Sequence, residues 1–212
     1  MLPDLALFVT QFATLWIMLD PLGHLPLFLD ATQSMTPGER RRTAILGPIF
    51  AFLVLLFFGI VGQHLLEAMG VSLLSFQISG GVILLLYAIT LVLGEHKTSL
   101  PQGVVGESQS PINTAVYPVA MPILAGPGSL LTIVLLMDNH RFSFAQQLGT
   151  LTALAAVLFG VMIVFVLGDY VIRVVRTAGI NIARRIMGTI LAAVAINLIV
   201  SALAKWLDLN PI

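Results

Sequence analysis

The chain has 212 residues, 58% hydrophobic and 9% charged, with zero formal net charge and a mean hydropathy of +1.02. Soluble domains carry about 25% charged residues, so this composition excludes a water-soluble fold and predicts an all-α polytopic membrane protein of six spans of ~20 residues. Balanced charge argues against nucleic-acid binding, and the lack of cysteine excludes disulfides, thiolate metal sites and thiol redox chemistry.

The opening Met1-Leu2-Pro3-Asp4 has an acid where a signal peptide carries Lys or Arg, and reads as the start of the first span. Apolar stretches at 5–29, 44–61, 73–93, 115–137, 148–167 and 186–203 are the predicted spans. Polar links at 30–43, 62–72, 94–114, 138–147 and 168–185 separate them. The loop at 96–113 divides a single transmembrane domain, 1–212, into three-span halves at 1–95 and 114–212. Eight basic residues (Arg40, Arg41, Arg42, Lys97, Arg173, Arg176, Arg184 and Arg185) fall in the first, third and fifth links, against only Arg141 and Lys205 on the other side. Positive charge marks the cytoplasmic face, which places links 30–43, 94–114 and 168–185 inside and both termini in the periplasm. The competing use of the arginine cluster, ligand binding, needs more than a topogenic bias. Tyr117, Tyr170 and Trp206 near span ends suit interfacial anchors.

The two halves resemble each other. Pro21-Leu22-Gly23-His24-Leu25-Pro26 in the first span and Pro122-Ile123-Leu124-Ala125-Gly126-Pro127 in the fourth are both Pro-x4-Pro with an internal glycine. The stretch from Gly81, GVILLLYAITLVL, matches that from Gly188, GTILAAVAINLIV, at six of thirteen positions. Three spans per half make the second half enter from the opposite side, so the repeat is expected to be inverted. Each proline removes a donor, at Pro21 from the Ile17 carbonyl and at Pro122 from the Pro118 carbonyl. Glycine eases departure from helical geometry, and Pro26 and Pro127 suit the first turn of a second half-helix. Simple proline kinks are the alternative. Two facing breaks would offer carbonyls to an ammonium group and helix N–H groups to a carboxylate, a zwitterion-sized site.

Asp20 and His24 are the ionisable residues at the first break. Asp20 either caps the helix at Pro21 or serves the site. His24 either titrates in a proton-coupled cycle or is an interfacial side chain. Gln77, Ser79, Thr90, Ser129, Thr132 and Asn197 are weaker cavity-lining candidates whose default use is interhelical hydrogen bonding. Gly59, Gly62, Gly80 and Gly81 read as close-packing positions. The sequence contains no H-E-x-x-H, and neither a cofactor nor an enzymatic centre is expected.

At LDPLGHLPLF, MPILAGPGSLLTIV and SFQISGGVILLLYAI (Ser75 to Ile89) the chain resembles the MarC family of bacterial and archaeal inner-membrane proteins. The resemblance covers essentially the whole chain. It implies a six-span fold within a superfamily that includes lysine exporters, and, from some archaeal members, cation-driven transport of small neutral amino acids. Carried over by motif, the substrate-facing residues are Asp20, Pro21, Gly23 and Pro26, with Pro122, Gly126, Pro127, Gly128 and Ser129; His24 joins them by position. Many members have asparagine where this chain has Asp20 or His24; that departure leaves the coupling ion, proton or sodium, and the substrate's charge preference open, with the extra acid and histidine leaning toward protons. The expected function is secondary transport of an amino acid such as glycine or alanine by alternating access. Export of another small solute and a structural or regulatory membrane role are the alternatives, and the oligomeric state stays open.

Overall fold

A computed structural model of the chain describes residues 5–93 and 110–208, so the opening tetrapeptide and most of the 96–113 loop lie outside the described residues. All regular structure among them is helical: α1 (Leu5–Leu19), α2 (Pro21–Ala31), α3 (Pro37–Ala68), α4 (Leu73–Leu93), α5 (Pro111–Thr114), a wide-turned π segment (Ala115–Leu124), α6 (Pro127–Leu136), α7 (Phe144–Val166) and α8 (Gly168–Trp206). Five helical stretches are long and apolar enough to cross a membrane, counting Leu5–Ala31 as one. A sixth arises if Pro111–Leu124 and Pro127–Leu136, which meet at 68°, form a single span.

Local chemistry sets the boundaries. Thr36 opens α3 with a capping box, its hydroxyl receiving the Glu39 N–H while the Glu39 carboxylate accepts the Thr36 N–H at 2.9 Å, and Pro37 follows at the first helical position. The same helix ends in a paired closure. Val71 N–H returns to the Leu66 carbonyl at 2.9 Å and Gly70 N–H to the Glu67 carbonyl at 3.0 Å, with Gly70 at φ +68, where a side chain would be strained. Ser143 and Gln146 form a second capping box at the start of α7.

Several links expected to be loops are helical. α3 begins at Pro37 and runs to Ala68, so Arg40, Arg41 and Arg42 ride on its first turns and most of the 62–72 link continues the helix. The 168–185 link is wholly absorbed into the 39-residue α8, whose apolar span is Arg185–Trp206. Charge interrupts hydropathy, not helical hydrogen bonding, so polar residues move a span boundary without ending the helix. Arg40 donates to both Asp169 carboxylate oxygens, at 3.0 and 3.1 Å, and so joins the start of α3 to the start of α8.

α4 and α8 form the most extensive helix pair, and glycine governs their approach. A Cβ on Gly81 would lie 2.7 Å from Ile199 Cγ1 and 3.3 Å from the Ala195 carbonyl. A Cβ on Gly188 would lie 2.9 Å from Leu91 Cβ and Val92 Cγ2, and 3.0 Å from the Ala88 carbonyl. The helices therefore run antiparallel at backbone contact, the close packing that replaces hydrophobic driving force between helices in lipid. Gly59, Gly62 and Gly80 are likewise close-packed, against Ile133, Val134 and Leu131 of α6. The larger core joins α1, α2, α3, the π segment, α6 and α7, with Phe28 and Phe165 stacked at 4.4 Å between centroids. Exposed Phe57, Leu86 and Phe159 fit a lipid-facing surface.

Candidate functional site

The chain interrupts its first helix at one residue. Asp20 takes a left-handed conformation (φ 34, ψ 70), and α2 starts at Pro21. An uninterrupted helix would give the Gly23 N–H to the Leu19 carbonyl. Here that N–H goes to Asp20 Oδ1 at 3.0 Å, and His24 Nδ1 donates to the Leu19 carbonyl instead, at 2.7 Å. A carbonyl only accepts, so Nδ1 carries a ring proton, and Nε2 meets the Tyr87 hydroxyl at 3.0 Å. The two side chains repair the break, and His24 ties α2 to α4.

The expected position of this break needs correction. Pro26 does not open the second half-helix: it lies inside α2, whose first residue is Pro21. Asp20 supplies the reason, because its carboxylate caps the helix start one residue ahead of a proline already suited to the first turn. The second interruption includes Ala125–Gly126, between Pro122 and Pro127, but helical geometry is already lost ahead of Pro122. Tyr117 (φ −136, ψ 122) and Met121 (φ −134, ψ 123) leave helical geometry, each pressed into the extended region by the proline that follows it, and both X–Pro peptides are cis. The Ala125 N–H reaches back to the Ala120 carbonyl at 2.8 Å, Gly126 is extended (φ −79, ψ 176), and Pro127 is the first residue of α6.

At the start of α6 no side chain caps the helix. The Leu130 N–H is taken by the Gly126 carbonyl at 2.9 Å, and Pro127 has none, which leaves the Gly128 and Ser129 N–H groups as the open donors of the first turn among the described residues. Pro122, Gly126, Pro127, Gly128 and Ser129 line a cavity of about 280 Å³ with His24 and Tyr87. Met18, Leu27, Ile83, Leu84, Ile123 and Leu191 complete an aliphatic wall. A Cβ on Gly128 would stand 2.9 Å from Leu84 Cδ1, a flexible side-chain end that would have to shift.

The other sequence-derived candidates lie elsewhere. Asp20, Pro21 and Gly23 build the first break, Pro26 lies inside α2, and none of the four lines the cavity. Gln77 is buried but donates to the Leu198 carbonyl at 2.9 Å, an α4–α8 bond. Thr132 is buried outside the cavity wall. Thr90 and Asn197 are exposed and Thr90 donates to its own helix at Tyr87, so neither lines the cavity. Ser79 bonds locally to the Phe76 carbonyl. Tyr87 and Leu191 carried no role in the sequence. Leu191 corresponds to Leu84 in the matched stretches, a usable signal, whereas the His24–Tyr87 pairing depends on tertiary proximity.

Comparison with known proteins gives one family. The sequence model described as MarC family integral membrane protein matches residues 5–207. A UPF0056 membrane protein of Aquifex aeolicus is 32% identical over 204 residues, covering 95% of this chain and 94% of the relative. One from Methanocaldococcus jannaschii is 30% identical over 204 residues, 94% of this chain and 97% of the relative. The UPF0056 membrane protein YhcE of Escherichia coli is 29% identical over 203 residues, 94% and 93% respectively. No solved structure matches.

Proposed function

This chain belongs to the MarC family of multi-pass integral membrane proteins, and from that premise we propose that it is a secondary transporter of small neutral amino acids, such as glycine or alanine. It works by alternating access on a proton or sodium gradient. The observation that carries the reading is the unlike state of two helix starts. α2 holds a carboxylate, Asp20, on the Gly23 N–H of its first turn; α6 has no such cap and opens on the cavity. A substrate carboxylate at Gly128 and Ser129 would repeat at α6 what Asp20 does at α2, helped by the positive end of the helix dipole. The polar side chains on the cavity wall that an ammonium group would meet are His24 and Tyr87. The remaining wall is aliphatic and offers no partner for a third charge, which favours neutral over basic or acidic amino acids. At about 280 Å³ the cavity lies just below the ~300–1,000 Å³ of drug-sized ligand sites.

Six spans in two inverted repeats, as in a superfamily with lysine exporters, complete the reading. In the matched stretches Gly81 corresponds to Gly188, Ala88 to Ala195 and Val92 to Ile199. Each glycine packs on the counterparts of the residues that meet the other. Such reciprocity is what a two-fold relation produces, and it supports discontinuous first and fourth spans meeting near its axis. The basic residues favour periplasmic termini in a bacterial inner membrane.

The test is uptake of radiolabelled glycine and alanine by purified protein in liposomes under imposed sodium or proton gradients. Gradient-dependent accumulation is expected. No accumulation under any gradient overturns the proposal. Binding of a different uncharged solute in a thermal-shift panel would then favour export of that solute through the same cavity, a reading to which the aliphatic wall also lends itself.

A further inference from the structure

We infer that Asp20 is the anionic ligand of a small monovalent cation held at the first helix break, outside the cavity assigned to the amino acid. Asp20 is only 1% exposed, and it lies within the first apolar stretch, in a left-handed conformation between α1 and α2. Its Oδ1 accepts the Gly23 N–H, but its buried Oδ2 has no hydrogen-bond partner among the described residues. Ion pairs among those residues join Arg40 to Asp169 and Glu67 to His140, and neither α1 nor α2 contains a lysine or arginine. The titratable neighbour, His24, already donates Nδ1–H to the Leu19 carbonyl and meets Tyr87 through Nε2.

A carboxylate oxygen so enclosed needs a counter-charge. The chain supplies further oxygen ligands at the same place. Pro21 has no N–H for the Ile17 carbonyl, and the last carbonyls of α1 form the negative end of its dipole. Carboxylate plus carbonyl oxygen is a hard ligand set, and a single carboxylate balances a single positive charge. Divalent ions, which gather more anionic oxygens, fit poorly. Oxygen ligands at an unwound helix end are where secondary transporters hold their coupling ion. The assignment of this cation as the coupling ion rests on the transport reading; its binding does not.

Sodium is the probe, with N-methylglucamine at equal ionic strength as the control and no amino acid present. Wild-type protein in detergent is expected to gain about 3–6 °C in apparent Tm, saturably with sodium. Asp20→Asn keeps an oxygen for the Gly23 N–H but loses the charge, and its gain is expected to vanish. A readout that needs no variant is modification of Asp20 by dicyclohexylcarbodiimide, followed by mass spectrometry, from which sodium is expected to protect. An absent sodium shift, or labelling of Asp20 that sodium leaves unchanged, overturns the assignment, and pH-dependent labelling insensitive to sodium identifies a protonated acid instead. Amino-acid uptake with no sodium shift removes this proposal alone; a sodium shift without uptake removes the transport reading alone.

Discussion

Gly23 can donate its N–H to the Asp20 carboxylate at 3.0 Å only because it lacks a side chain, since a methyl group there would overlap that carboxylate. Gly23→Ala is therefore expected to lower stability by about 1–3 kcal/mol, combining loss of the cap with a buried carboxylate left without its donor. Gly38→Ala is the control, because a Cβ at Gly38 meets nothing within 4 Å. Thermal unfolding in detergent should separate them clearly; equal behaviour would refute the capping account.

Gly128→Ala puts a methyl group against the end of Leu84 and into the cavity. A flexible side-chain end can yield, so the stability cost should be small while the apparent KM for amino acid rises tenfold or more. Ser129→Ala removes one hydroxyl from the wall and is expected to cost about 1 kcal/mol of binding, roughly fivefold in KM. Unchanged KM in both variants would move the substrate away from the start of α6.

Gly81 and Gly188 should both be intolerant, but not equally. Gly81→Ala meets chiefly Ile199 Cγ1, whereas Gly188→Ala meets Leu91 Cβ and the Ala88 carbonyl, which have less freedom to move. Overpacking is expected to cost about 1–3 kcal/mol at each, with Gly188→Ala the larger. Denaturation midpoints that reverse this order would contradict the packing at the α4–α8 crossing.

Glu39 gives a pH prediction outside the spans. Its carboxyl titrates below the ordinary 4.5, first because the Thr36 backbone N–H and then because the Thr36 hydroxyl bonds its ionised form. A lowered folded-state value makes this cap a stabiliser above about pH 4.5, lost as pH falls through the folded value. Protection factors of the Glu39 and Arg40 amides, corrected for the intrinsic pH dependence of exchange, should fall on acidification, and Glu39→Gln should blunt that change.

Much of this architecture is legible in the chain. Hydropathy marks the spans because lipid selects for apolar surface, and the prolines mark both interruptions because a missing N–H is a local fact. Gly81 and Gly188 also stand out in the matched stretches, and each lies at the close α4–α8 contact. The start of α2 is less legible: Pro21 and Pro26 are chemically alike, and only the turn of Asp20 onto Gly23 decides which begins the helix. Thr90 and Asn197 mislead, because a polar residue on a membrane helix can satisfy itself on its own backbone, as Thr90 does at Tyr87. Tyr87 is silent in one dimension, since its partner His24 lies 63 residues away.

The two interruptions differ mechanically. Asp20 and His24 each bond across the first, to Gly23 and to Leu19, so α1 and α2 behave as a splinted joint that transmits torque. The second carries a 68° bend, an extended Gly126 and no side-chain cap. It is the free elbow of the pair. In the alternating-access cycle proposed above, a swing exposing the cavity would bend at this joint, with the braced His24 wall as the fixed jaw.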